Sequence, residues 1–90
     1  MNEEITVEEL REMPQGEYLL IDVRDSAAFA LGHIDGAVNV APEQLCEAQL
    51  PNDKPIVVCC RSGIISDEIA AQLRDEGYQA ANLAGGYVRW

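Results

Sequence analysis

The chain has 90 residues, 48% hydrophobic and 24% charged, proportions that suit one globular domain close to the smallest that supports a core unaided. A formal net charge of −10 leaves no basic surface for nucleic acid and disfavours an anionic membrane. No stretch approaches the roughly 18 consecutive apolar residues of a membrane helix, and the acidic start, Met1-Asn2-Glu3-Glu4, lacks the apolar centre of a secretory signal.

Thr6-Val7-Glu8-Glu9 is a capping box, in which hydroxyl and carboxylate each accept from the other residue's backbone N–H. It predicts a short helix over residues 7–13, ended by Pro14, with Ile5 and Leu10 at staple positions across the cap. Six of the sixteen acidic residues (Glu3, Glu4, Glu8, Glu9, Glu12, Glu17) fall in the first seventeen positions, against one base, Arg11. A solvated face is the plain reading, and an acidic docking surface for a basic partner protein is the sharper one.

Residues 18–23 form an apolar strand broken only by Asp22, and residues 26–31 a short helix stopped by Gly32. A turn at 33–36 leads to a short strand over 37–40. Residues 42–50 suit another helix, with Pro42 in its first turn and Leu45, Cys46 and Leu50 on its apolar face. Residues 55–59, β-branched and apolar, read as a buried parallel strand. A helix over 67–76 stopped by Gly77 follows, then a last strand over 78–83. Strands alternating with helices at these spacings argue for a single α/β domain over residues 1–90, its parallel sheet covered on both faces.

The chemistry concentrates in Cys60-Arg61-Ser62-Gly63-Ile64-Ile65-Ser66, a glycine-containing turn where the 55–59 strand hands over to a helix. Ligands of open α/β sheets bind beyond the carboxyl ends of the strands. A helix start aims unpaired N–H groups and partial positive charge at that place. A thiol there gains thiolate character, so Cys60 reads as a nucleophile in an anion-cradling loop. Of the three cysteines, Cys59 and Cys60 are neighbours with poor geometry for a bridge, which fits a reduced, cytoplasmic protein.

Four landmarks together resemble the rhodanese-like (sulfurtransferase) domain family. They are Ile21-Asp22-Val23-Arg24, the run from Phe29 through Gly32-His33-Ile34-Asp35-Gly36 to Asn39, Ile56-Val57-Val58-Cys59-Cys60-Arg61-Ser62-Gly63, and Leu83-Ala84-Gly85-Gly86-Tyr87-Val88-Arg89-Trp90. The resemblance implies a small doubly wound sheet of about five mostly parallel strands, with a short edge strand near Ile5. It also implies sulfane sulfur transfer through a persulfide on Cys60, from thiosulfate or a persulfide to a thiol, cyanide or a sulfur-relay partner protein. No metal or organic cofactor is implied. Backbone N–H groups from Arg61 to Ser66 would hold the anionic persulfide, and Gly63 would let the loop close tightly around it. Two departures stand out. Family members with strong thiosulfate activity often carry a second cationic or polar residue where this chain has Ile65, and many relatives have Glu at the place of Ala28. With Arg61 the only cation in the loop, and Asp67 and Glu68 following, thiosulfate is expected to be a poor donor.

Arg61 is expected to stabilise thiolate and bound anion, and Ser62 and Ser66 to donate to sulfur or substrate, although Ser66 serves equally well as a helix cap. Cys59 should point to the opposite face of the sheet as core, and Cys46 should pack on its helix. Asp22 and Arg24 read as a pair that positions loops, His33 as a turn residue rather than a general base, and Tyr87 and Trp90 as core lids. Two other readings compete. A phosphatase or arsenate reductase of related fold needs an arginine at the end of a Cys-x5-Arg loop, where this chain has Ile65 and Ser66. The other is a non-catalytic interaction or redox-sensing module that keeps the thiol.

Overall fold

The structure, a computed structural model, describes residues 3–90, without the side chain of Cys46. The packing role expected of Cys46 therefore lies outside the described side chains. Thr6 opens the first helix, α1 (Val7–Glu12), through the expected reciprocal box. Its hydroxyl accepts from the Glu9 N–H at 3.0 Å, and the Glu9 carboxylate accepts from the Thr6 N–H at 2.9 Å. Such a cap contributes about 1 kcal/mol. Ile5 and Leu10 are buried in one cluster across it. Met13 is already extended, as the residue before a proline prefers.

Five strands, β1 (Glu4–Ile5), β2 (Leu19–Asp22), β3 (Val38–Asn39), β4 (Ile56–Cys59) and β5 (Ala80–Leu83), form one sheet in the order β1-β5-β4-β2-β3. Every pairing is parallel, so the α/β sheet is wholly rather than mostly parallel. The apolar run of β4 is central for a physical reason: all four residues are buried, and only an interior strand can bury both faces. Its register sets Val58 between Ile21 of β2 and Asn82 of β5.

Alternation along β4 divides the core in two. Ile56, Val58 and Cys60 pack with Leu45 and with Ile69, Ala70 and Leu73 of the long helix α3 (Ile65–Asp75). Val57 and Cys59 face the other way, against Val7 and Leu10 of α1, Ile34, and the half-buried Tyr87 and Trp90. Each large aliphatic residue so buried contributes about 1.5–3 kcal/mol. Arg11 lies 4.0 Å over the Trp90 ring and donates to its carbonyl, tying the chain end onto α1. The remaining helix, α2 (Ser26–Leu31), has the expected bounds, is capped by Asp25, and buries no residue.

Besides the strands expected over 37–40 and 78–83, which are shorter at Val38–Asn39 and Ala80–Leu83, two helical segments differ from expectation. Residues 42–50 give a 3₁₀ segment, Pro42–Glu47, instead of an α-helix. Ala41 has no side chain to cap with, and the turns close by i to i+3 bonds, Gln44 N–H to the Ala41 carbonyl and Ala48 N–H to that of Leu45. Helix α3 begins at Ile65 rather than 67, with Ile64 at its cap position and no side-chain cap of the usual kind. The six acidic residues of the first seventeen positions are all exposed. Among the described residues no helix is long and apolar enough to cross a membrane.

Candidate active site

Cys60 follows β4 directly, at the carboxyl end of the central strand and under the first turn of α3. Its sulfur takes the place of the missing cap. The Gly63 N–H donates to Sγ at 3.1 Å, the Ser66 N–H at 3.4 Å and the Ser66 hydroxyl at 3.2 Å, with the Ser62 N–H also turned to it. This resolves the double reading of Ser66: it lies inside the helix, wholly buried, and serves the sulfur. Burial alone would push the thiol up. The Ser66 hydroxyl and the N–H groups of Ser66, Gly63 and Ser62 outweigh it, and the net shift of Cys60 is downward. The donors are fewer than the full ring from Arg61 to Ser66 expected from the sequence.

The loop's N–H groups face inward because its carbonyls are engaged outside. The Tyr87 N–H donates to the Cys60 carbonyl at 2.8 Å, the Val88 N–H to that of Arg61 at 3.1 Å, and the Asn82 carboxamide to that of Gly63 at 3.0 Å. Glycine is required on both sides of this contact. Gly63 has φ +88° and a Cβ there would lie 3.0 Å from the Gly85 nitrogen. Gly86 has φ +71° and a Cβ would lie 2.5 Å from the Arg61 carbonyl oxygen.

Above the sulfur opens a cavity of about 740 Å³, lined among others by Arg24, Ala28, Leu31, Arg61, Ile65 and Val88. Arg61 is exposed on its wall and enters no ion pair among the described residues. Ser62 also lines it; Ile64 is exposed and does not. Asp22, wholly buried, grips Arg24 through both carboxylate oxygens, the shortest contact being 2.7 Å. Arg24 in turn donates to the Gly32 carbonyl at 2.7 Å and lies 4.1 Å over the Tyr87 ring, so the pair joins the ends of β2 and α2 to the closing turn. The bond to Asp22 raises the Arg24 pKa against the cost of its burial. His33 is not on the cavity wall; its ring stacks on Phe29 at 3.8 Å, and its Nδ1 lies 2.8 Å from the Phe29 carbonyl. Cys59 is buried on the opposite face, where desolvation pushes its thiol up to about 12.

Asn82 and the backbone of residues 86–88 are the parts of this site that the sequence reading missed. The signal for Asn82 was available: it is the one strongly polar residue in the run Ala80-Ala81-Asn82-Leu83, and a buried carboxamide needs partners.

The sequence matches the model of the rhodanese-like domain over residues 6–90. It is 36% identical to the thiosulfate sulfurtransferase GlpE of Shewanella oneidensis over 96% of this chain and 89% of that protein. It is 32% identical to GlpE of Haemophilus influenzae over 97% and 86%. In structure it resembles a human single-domain sulfurtransferase, with TM-score 0.86 and 28% identity over 100% of this chain and 96% of that one. A rhodanese-related protein of Thermoplasma volcanium gives TM-score 0.89 at 26% identity, over 99% and 90%. Family model, sequence identity and overall fold thus agree, and the chain belongs to the rhodanese-like domain family.

Proposed function

We propose that this chain is a sulfurtransferase of the rhodanese type, acting as one unit over residues 1–90, with Cys60 as nucleophile and sulfur carrier. The observation that carries the reading is the Cys60 sulfur, held by N–H and hydroxyl donors at the floor of an open cavity. That arrangement favours an anion on sulfur in both resting and loaded states. The Cys60 thiolate attacks the outer, sulfane sulfur of a donor. With thiosulfate the S–S bond breaks and sulfite leaves with the bonding pair; with an organic persulfide the leaving group is a thiolate. The persulfide on Cys60 then gives its outer sulfur to a nucleophile such as cyanide, a thiol or a partner protein, and the Cys60 thiolate returns.

The cavity bears on the donor. Three side chains on its wall are large, apolar and open to solvent: Leu31 at 91% exposure, Val88 at 63% and Ile65 at 58%. Of its two arginines, Arg24 is committed to Asp22, which leaves Arg61 alone to meet a dianion. This supports a persulfide, small or presented by a relay protein, over thiosulfate as the efficient donor. The exposed acidic helix α1 gives a basic relay partner a surface to meet.

The test is mass spectrometry of the reduced protein after incubation with thiosulfate and, separately, with a cysteine desulfurase and cysteine. One added sulfur on the Cys60 peptide, removed by cyanide or dithiothreitol and absent from Cys60→Ser, is expected. Labelling by the desulfurase system but not thiosulfate supports the relay form. No added sulfur in either case, with the fold intact, overturns the reading in favour of a binding or redox-sensing module.

A further inference from the structure

Asn82 projects from β5 beneath the loop and is 1% exposed. Its carboxamide nitrogen donates to the Gly63 carbonyl at 3.0 Å and to the Glu4 carboxylate at 3.3 Å. Two acceptors on that side fix the amide's orientation, so the carboxamide oxygen is the atom that accepts from the Ser66 hydroxyl. Gly63 and Ser66 supply donors to the Cys60 sulfur. One buried side chain therefore holds both from behind without being among the donors to the sulfur itself.

We propose that Asn82 is a positioning residue for Cys60, its carboxamide fixing the Gly63 and Ser66 donors on the sulfur; the inference rests on the reading of Cys60 as the nucleophile. Gly63 is held from two ends, its N–H by the sulfur and its carbonyl by Asn82, which keeps its left-handed conformation and the direction of its N–H. Ser66 has one hydroxyl proton and two acceptors, the sulfur and the Asn82 oxygen. An anionic sulfur draws the larger share of that proton. Removing the carboxamide removes this competitor, which favours the thiolate by part of one hydrogen bond. It also leaves the Gly63 carbonyl without its donor and frees the Ser66 side chain to rotate. The geometric loss touches two donors and outweighs the gain.

The charged and titratable groups around the loop are Arg61 within it, Asp67 and Glu68 in the first turn of α3, Asp22, Arg24 and Asp25 at and just beyond the end of β2, Tyr87 on the closing turn, Glu4 on β1 beyond Asn82, and Cys59 on the far face. All are kept in an Asn82→Leu variant, which is close to asparagine in shape. The measurement is the pH dependence of Cys60 alkylation by iodoacetamide, followed by fragment ions that separate Cys60 from Cys59. Asn82→Leu is expected to move the midpoint upward and to slow alkylation at neutral pH about tenfold, with a cooperative melting transition retained at a lower temperature. A midpoint that stays or falls overturns the proposal. Should Asn82→Leu not fold, the unsubstituted protein supplies the second measurement. The side-chain amide resonances of Asn82 are expected to titrate with the Cys60 midpoint and to lose that titration in Cys60→Ser. Resonances indifferent to Cys60 overturn the proposal. Neither measurement uses a sulfur donor, so failure of sulfur loading would sink the functional reading separately.

Discussion

The backbone N–H of Tyr87 donates to the carbonyl of Cys60 at 2.8 Å, and this contact turns the reactive loop inside out relative to an ordinary turn. With its carbonyls drawn toward the closing segment, its N–H groups are left for the sulfur. Gly86 is the residue that permits the approach. Gly86→Ala combines left-handed strain with a methyl 2.5 Å from the Arg61 carbonyl oxygen. It is expected to cost at least ~2 kcal/mol in urea unfolding and to slow Cys60 alkylation. A variant with native stability and reactivity would show that the closing segment does not shape the loop.

The Asp22–Arg24 pair is buried at its acidic end and ties three segments together. Asp22→Ala leaves a nearly buried guanidinium without its carboxylate, and the expected loss is about 3–5 kcal/mol, read from the urea midpoint at constant slope. A loss below about 1 kcal/mol would mean that Arg24 finds water or another acceptor.

The adjacent thiols should give opposite alkaline signatures. Cys59, raised to about 12 chiefly by desolvation, stays neutral in the folded chain while the unfolded chain ionises near the ordinary thiol value of about 9. Stability is therefore lost as pH climbs from about 9 toward 12, on the order of a few kcal/mol, and Cys59→Ala should flatten that fall. Cys60, lowered by its hydrogen bonds against desolvation, contributes stability that grows as pH rises from its folded value to about 9. Cys60→Ser should remove that rise. Denaturation midpoints from pH 7 upward separate the two, and a common sign for both cysteines would contradict the assignment of faces.

Ile65 stands exposed on the cavity wall, close to where a bound dianion would sit. Ile65→Lys gives the loop a second cation and is expected to raise kcat/KM for thiosulfate roughly tenfold, with the gain shrinking at high salt. Thiocyanate formation at low and high ionic strength checks this. A gain independent of salt would point to shape rather than charge.

Legibility followed the range of the interactions. The Thr6–Glu9 box, the β4 run and α2 rest on neighbours in sequence, and their positions could be read from it. Cys60 was legible because a strand-to-helix junction announces itself locally. The start of α3 was not, since its cap is the sulfur of a residue in the loop rather than a side chain at the helix's own start. The 3₁₀ form of residues 42–47 lies in its i to i+3 bonds, which an apolar pattern over so short a segment does not distinguish from an α-helix. Asn82 was missed because its partners, Glu4, Gly63 and Ser66, lie 16 or more positions away, and only the parallel sheet brings them together.

The outermost strands, β1 and β3, are only two residues long. A neighbouring chain that sought to extend the sheet would find one or two rungs of backbone on either side, too few to offset the order it would have to adopt. The aggregation-prone sequence of the molecule, the apolar stretch of β4, is thus shielded by position: β2 and β5 occupy both of its sides. Brevity at the margins lets a chain this small keep so sticky a centre.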